Sequence, residues 1–312
     1  METMECPPVL RKQVDLNRMC DDIIRAAEIA DAPHDKDAIW PVLNAYGDFY
    51  SMSPVSFVTN TKPKEKRRLH FRYVELQVPH DAYAIAFAQG FITKHGHAID
   101  EMIPALQSAC PIQGYGVDTD AASGLAKLWV FLRDFPSIDS VCAMPFLPES
   151  VRGHAEYFAK YGLGTVSLFA VDYRHRTINI YFMVSSPGQY TADKVARMIG
   201  DLQLEMPSAE ILEYCSRAVT IYPSFAWESP RIERICFGIP APRPSMVPTH
   251  LHPLISRYTA EAPTLGKERQ FIFGISRARD GSYVKIENDY SGSMVGAMNE
   301  GAQAVVQARQ RM

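Results

Sequence analysis

Residues 148–184, PESVRGHAEYFAKYGLGTVSLFAVDYRHRTINIYFMV, hold one full cycle of the chain's organisation. A helical stretch, PESVRGHAEYFAKYG, is followed by two strand-like runs, GTVSLFAVD and RTINIYFMV, joined by YRHR. In the second run Ile178, Ile180 and Phe182 alternate with His175, Thr177, Asn179 and Tyr181. Alternation of period two is the mark of a strand whose two faces meet different surroundings. The short polar joint makes the two strands antiparallel neighbours.

The same cycle recurs in both directions. Before it lie helical VDLNRMCDDIIRAAEIADA and DKDAIWPVLNAYGDFY, then SPVSFVTN and RRLHFRYVELQV across TKPKEK. Helical YAIAFAQGFITKH and IDEMIPALQSAC follow, with PIQGYGVD and GLAKLWVFL across TDAAS. After it come TADKVARMIGDLQL and SAEILEYC, with RAVTIYPSFAW and RIERICFGI across ESP. Next are HLHPLISRYTAEA, RQFIFGISR and SYVKIENDY, the last two joined by ARDG, and GSMVGAMNEGAQAVVQARQ closes the chain. This is repeated architecture at a period of about fifty residues, without sequence identity between units. No Gly/Ser-rich or Pro-rich linker interrupts it, so residues 1–312 are expected to form a single domain. Ten hairpin strands are best satisfied by closure, which removes the sheet edges. The predicted fold is α+β, a single ten-stranded antiparallel β-barrel enclosed by a ring of α-helices.

Composition narrows the partners. The net charge of −3 over 312 residues makes the whole molecule no polyanion binder, which argues against nucleic acid. The six cysteines lie far apart with no CxxC pair. The N-terminus METMECPPVLRK has no apolar h-region, and no apolar run approaches a membrane span. The expectation is a reduced, cytoplasmic protein with buried thiols and no membrane partner. HGH at 95–97 and HLH at 250–252 lack a third partner and read as loop histidines, so no metal site is expected.

The strand faces carry the chemistry. Lys127, Trp129 and Phe131 oppose Ala126, Leu128, Val130 and Leu132; Arg234 and Cys236 oppose Ile235, Phe237 and Ile239. Thr220 and Tyr222 oppose Val219 and Ile221, and Tyr283, Lys285, Glu287 and Asp289 oppose Val284 and Ile286. The aliphatic face should pack on helices. The other face suits a lumen for a ligand with one anionic and one greasy end, or else a solvated sheet face. Lys127, Arg234 and Lys285 sit mid-strand there, where enclosed charge calls for an opposite charge. The acids legible on that face are Glu287, Asp289 and a few at strand ends, so a diphosphate would supply the missing anion, with Asn179, Tyr181 and Tyr222 as neutral donors. In KEKRRLHFRY (64–73), Lys64, Lys66 and Arg67 read as turn charges, and His70 and Arg72 point inward. Lys62 or Arg68 is placed to reach over the barrel mouth.

GLAKLWVF, YGLGTVSLFAVDYRHRTINIYF, TIYPSFAWESPRIERICF, GKERQFIFG and YVKIENDY resemble, in order and over most of the chain, the soluble aromatic prenyltransferases of the ABBA (ααββ, PT-barrel) family. The resemblance implies transfer of a dimethylallyl or geranyl group from its diphosphate to a small electron-rich aromatic acceptor. It implies diphosphate binding by Lys127, Asn179, Tyr181, Tyr222, Arg234 and Lys285, with Arg72 and Lys62 added from the basic stretch. His175 falls where some members carry lysine. Trp129 falls where tyrosine is common, which narrows the prenyl pocket and favours the five-carbon donor. Magnesium-dependent members carry Asp in a Leu-Asp-Phe-Ser-like setting, whereas this chain has Leu69-His70-Phe71-Arg72. The resemblance is therefore to the metal-independent branch, with no cofactor and no Mg²⁺ requirement.

The implied reaction is electrophilic aromatic substitution. Trp129, Tyr181 and Tyr222 would shield the allylic cation. Arg72 and Glu287 are the catalytic candidates, Glu287 as acceptor ligand and proton acceptor or, on another reading, as the internal salt-bridge partner of Lys285 or an arginine. The acceptor pocket is expected around Ser167, Phe169, Cys215, Thr220, Cys236, Glu287 and Met298. Partners are an allylic diphosphate and a small aromatic substrate, and the chain is expected to act as a monomer. A non-catalytic barrel binding a small aromatic or phosphorylated ligand is the alternative, and a hydrolase is a third class for which no triad is legible.

Overall fold

A computed structural model describes residues 15–76, 80–184 and 188–296. Ten strands form in the expected hairpins: β1 (Val55–Asn60), β2 (His70–Glu75), β3 (Ile112–Asp120), β4 (Gly124–Leu132) and β5 (Val166–Asp172). β6 (Thr177–Met183), β7 (Thr220–Ala226), β8 (Ile232–Ala241), β9 (Phe271–Ala278) and β10 (Tyr283–Asp289) complete the set. Each strand pairs with its sequence neighbours, and β1 also pairs with β10, so the sheet closes into an antiparallel barrel.

The helices cover the outer face, as the alternation requires. Ile178, Ile180, Ile221, Phe225, Ile235 and Phe237 are fully buried in one continuous core between sheet and helices. The helix Ala155–Tyr161 shows how this works. It places the Phe158 ring 5.5 Å from Phe182 on β6 and 6.4 Å from Phe225 on β7, and ends at Gly162, whose φ of 70° a side chain would disfavour.

Three expectations change. The helix expected over 83–95 stops at Ala88, and Gly90, just past the Gln89 cap, takes a φ of 72°. The single helix expected over 35–50 breaks at Tyr46 into Lys36–Ala45 and Gly47–Met52. Arg67 is no solvated turn charge: it is buried, and its Nη1 donates to the Ala30 carbonyl (3.1 Å), tying the end of the first helix to the barrel rim.

The two histidine pairs have local duties. His97 Nδ1 accepts from the Ile99 N–H, His252 Nδ1 caps the helix Pro253–Glu261 through the Leu254 N–H, and His250 pairs with Glu210. Cys20, Cys110, Cys142, Cys215 and Cys236 are free and buried. Among the described residues, no helix is long and apolar enough to cross a membrane. Cys6, Met298 and most of the final helical stretch lie outside the described residues.

Replacing Phe158 with Ala should remove the aromatic contacts between this helix and the barrel. The expected cost is about 3–5 kcal/mol, read by urea denaturation.

Candidate active site

Contacts that span several strands place the polar face inside the barrel. Lys285 Nζ on β10 donates to the Tyr222 hydroxyl on β7 (3.0 Å), across the two intervening strands. Gly274 on β9 makes this possible. A Cβ there would lie 3.2 Å from Cys236 Sγ and 3.6 Å from Lys285 Cβ, in the path the lysine takes along the sheet. Arg234 on β8 donates through Nη2 to Ser224 Oγ (2.7 Å) and Asn179 Oδ1 (3.2 Å), and through Nη1 to the Tyr283 hydroxyl (2.8 Å). At the rim, Lys62 Nζ sits 4.5 Å above the Tyr283 ring and 3.6 Å from Asp280. Thus β6, β7, β8 and β10 bring Asn179, Ser224, Tyr222, Arg234, Tyr283 and Lys285 together. Among the described residues, neither Arg234 nor Lys285 pairs with a carboxylate; all their hydrogen-bond partners are neutral side chains. Burial accordingly depresses the Lys285 pKa.

The other two cations are already matched. Arg72 Nε lies 3.2 Å from Asp118 Oδ1 and its Nη1 3.3 Å from Glu287 Oε2, while the guanidinium lies 4.8 Å from the Trp129 ring centre. Ser56 donates to the other Glu287 oxygen. Lys127 Nζ lies 3.7 Å from Asp172, which His175 also holds from the exposed turn. His70 stands between Asp118 (3.4 Å) and Asp120 (3.9 Å). Burial pushes the Asp118 carboxyl up, but Arg72, His70 and Lys127 outweigh it and hold the group well below the usual carboxylate range. The salt-bridge alternative for Glu287 is therefore present, with Arg72 as the partner. Arg72 is no free cation awaiting a phosphate.

The far end of the lumen is apolar. Val74, Ile272, Met294 and Val295 cluster there with Trp129 and Phe131 packed against them. The Asp289 carboxylate pins this cover, accepting from the N–H groups of Gly292 (2.8 Å), Ser293 (3.0 Å) and Val295 (3.0 Å). An aromatic wall joins the two ends: the rings of Trp129 and Tyr181 are 6.0 Å apart, and Tyr181 stacks on Tyr222 at 4.2 Å. Trp129 Nε1, Thr220 Oγ1 and Ser276 Oγ are buried beside this wall without hydrogen-bond partners among the described residues.

Two residues expected in the acceptor pocket, Phe169 and Cys215, are elsewhere, and a third, Ser167, is engaged by the backbone. Phe169 pairs in register with Val130 and Ile180 and lies in the core under the helices, while its neighbours Leu168 and Ala170 take the lumen face. Cys215 ends the helix Ala209–Cys215 and is buried in that same outer core, where desolvation raises its thiol pKa. Ser167 occupies an irregularity in the β5–β6 register and donates to the Tyr181 carbonyl (3.0 Å). Thr220, Cys236 and Glu287 do lie on the lumen face. Residues not anticipated are Asp118, Asp120, Asp172, Ser224, Tyr283, Ser276, Val74, Ile272 and Met294. Tyr283 was legible from its alternation with Lys285. Asp120 was not, because β3 runs two residues further into TDAAS than its hydrophobic pattern suggests; Asp118 closes the run PIQGYGVD and was covered only as an acid at a strand end.

A closed barrel with a cationic end, an aromatic wall and an apolar end defines a site for an amphipathic anion beside an aromatic molecule. The family profile of the aromatic prenyltransferase Orf2 matches residues 14–301, and the chain belongs to that family of aromatic prenyltransferases. The 5,10-dihydrophenazine-1-carboxylate 9-dimethylallyltransferase of Streptomyces anulatus is 27% identical, over 89% of this chain and 94% of its own length. The flaviolin linalyltransferase of Streptomyces virginiae is 27% identical, over 88% of this chain and 92% of its own. Among solved structures, the 5-dimethylallyl tryptophan synthase of Streptomyces coelicolor shares the fold with a TM-score of 0.60 at 13% identity, covering 88% of this chain and 95% of that one.

Asp118→Asn should cost about 1–3 kcal/mol by leaving Arg72 one carboxylate short. Because the native carboxyl is depressed, its stabilisation is present above the ordinary aspartate range. The difference between wild type and variant, followed by chemical denaturation, should shrink as pH falls below about 4.

Proposed function

We propose that this aromatic prenyltransferase moves a dimethylallyl group from its diphosphate to a small electron-rich arene, without a metal ion. The observation that carries this reading is the pair of enclosed cations beside the stacked tyrosines, Arg234 and Lys285, neither of which meets a carboxylate among the described residues. A diphosphate is the anion that fits both, and Asn179, Ser224, Tyr222 and Tyr283 supply the surrounding polar groups.

As the allylic C–O bond breaks, charge grows on the diphosphate oxygens and is met by groups already in place, with Lys62 at the rim. The allylic cation lies against Tyr181, Tyr222 and Trp129, whose faces each offer about 0.5–2 kcal/mol. The arene attacks and its ring proton passes to Glu287, whose two oxygens first loosen from Ser56 or Arg72. Arg72 holds Glu287 in place through their salt bridge, and so acts through it. The Asp118 carboxylate is engaged by Arg72 and His70, and Asp120 by His70 and Arg68, which favours a metal-free donor site.

Trp129 and the apolar cap support a five-carbon donor over geranyl. For the acceptor, the Streptomyces anulatus relative is named for a dihydrophenazine carboxylate and the Streptomyces niveus relative for 4-hydroxyphenylpyruvate. The proposed acceptor is of that kind, a phenol, naphthol or phenazine set against Thr220, Cys236, Ser276 and Glu287. A single-domain monomer in the cytoplasm is the proposed setting, supported by a barrel built wholly from one chain and by its free thiols.

The test is incubation of dimethylallyl diphosphate with a panel of phenols, naphthols and phenazines in EDTA, read by mass spectrometry. A prenylated arene in EDTA is expected. Activity only with added Mg²⁺ would remove the metal-free reading, prenyl alcohol without adduct would indicate hydrolysis, and no turnover would leave a binding barrel. Glu287→Gln should lower kcat by at least about 100-fold while diphosphate affinity changes little; wild-type turnover in this variant would dismiss the proton-acceptor role.

A further inference from the structure

Tyr283 differs from the other lumen tyrosines in what surrounds its hydroxyl. Arg234 Nη1 on β8 donates to that oxygen at 2.8 Å, and Lys62, from the β1–β2 connection, lies 4.5 Å over the ring. Lys285 is its same-face neighbour on β10, and its cross-strand partner on β9 is the uncharged Ser276. Cys236, also on β8, is the other ionisable acid nearby, and Asp280 in the β9–β10 turn touches Lys62 alone among these cations. The phenol is 7% exposed, so water does little to screen this field. Burial pushes its pKa up, but Arg234, Lys285 and Lys62 together outweigh burial and bring it down to about 7. Tyr181 and Tyr222, closer to the aromatic wall, are instead pushed up by burial.

An empty site of this kind has cations facing one another with no carboxylate of the described residues between Arg234 and Lys285. Ionising the phenol that Arg234 already touches is the least costly way for the protein to balance them. A diphosphate entering the same cluster brings its own negative charge and removes the reason for the phenolate.

We propose that Tyr283 is the proton-exchanging member of the donor site: a phenolate while the site is empty, it takes up one proton as a diphosphate binds and releases it when inorganic diphosphate leaves. This presupposes that the site takes an allylic diphosphate. The step is a protonation alone, phenolate plus a proton from solvent giving phenol, with no carbon bond made or broken. Once protonated, Tyr283 donates a hydrogen bond to a diphosphate oxygen that the phenolate would have repelled. Donor affinity then falls as pH rises above about 7, by up to about tenfold per pH unit for one linked proton. Tyr283→Phe lacks that slope, while the titration of the diphosphate itself is common to both proteins and cancels in the comparison.

Inorganic diphosphate is the probe, because it reports the site without any prenyl transfer. At about pH 8, one pH unit above the Tyr283 midpoint, the empty wild-type protein should show tyrosinate absorbance in the near ultraviolet that falls by nearly one tyrosine's worth on saturation. Calorimetry in buffers of different ionisation enthalpy should show about one more proton taken up than by Tyr283→Phe. Lys62→Met, which removes a rim cation, should shift the tyrosinate midpoint upward and provides a second reading should Tyr283→Phe fold poorly. Absence of tyrosinate from the empty protein, or the same signal in Tyr283→Phe, would overturn the proposal. So would diphosphate binding with the tyrosinate intact, while the prenyl-diphosphate reading would stand. A protein that binds no diphosphate at all would overturn both.

Discussion

Arg234 and Lys285 are enclosed in the barrel with no carboxylate of the described residues beside either, and the rest of the site is arranged around that imbalance. The outer core of aliphatic and aromatic side chains supplies the stability that lets the lumen hold like charges close together. Gly274 clears the lane for Lys285, and Ser224, Asn179 and the Tyr222 hydroxyl orient the two heads without neutralising them. The missing charge is left for the substrate to bring. Arg72 and Lys127 show the opposite arrangement in the same lumen, each matched by a carboxylate of the protein itself. The two pairs of cations therefore differ in their surroundings: the proposed ligand-binding pair meets hydroxyl and amide groups, while the other holds Glu287, Asp118 and Asp172 in fixed positions.

The apolar end answers to a separate constraint. Trp129 lies over Gly116, where a Cβ would come within 3.3 Å of its ring, and meets Val74, Ile272 and the segment pinned by Asp289. A prenyl chain anchored by its diphosphate at the other end is directed along the tyrosine wall toward this surface. The unpartnered Thr220, Ser276 and Trp129 polar atoms lie beside that path, where an acceptor with a hydroxyl or ring nitrogen would satisfy them.

Much of this was legible in the sequence because the fold is built from one repeated cycle and because period-two alternation is unforgiving. Ile178, Ile180 and Phe182 could face only one way once Asn179 and Tyr181 faced the other, and Lys285 carried Tyr283 and Glu287 with it. What could not be read depended on register and on elements meeting in space. Phe169 resembled a pocket residue until its pairing with Ile180 set it outward. Cys215 sits on a helix whose docking no local pattern specifies. Asp120 lay in what read as a turn, and Asp118 and Asp172 stood at strand ends with no partner assigned, so Arg72 and Lys127 looked as unpaired as Arg234 and Lys285. The acids that distinguish the two pairs come from neighbouring strands, and only closure of the barrel brings them into contact.

That distinction is the central claim, and affinity for inorganic diphosphate measured by calorimetry on Lys285→Met and Lys127→Met tests it directly. Removing an uncompensated charge should leave the empty Lys285→Met protein at least as stable as wild type, while its diphosphate affinity drops by about 100-fold, in line with the loss of a charge-assisted contact of 2–3 kcal/mol. Lys127→Met should bind diphosphate within about tenfold of wild type, since Lys127 is engaged by Asp172. The reverse order, with Lys127→Met losing the ligand and Lys285→Met retaining it, would contradict the account.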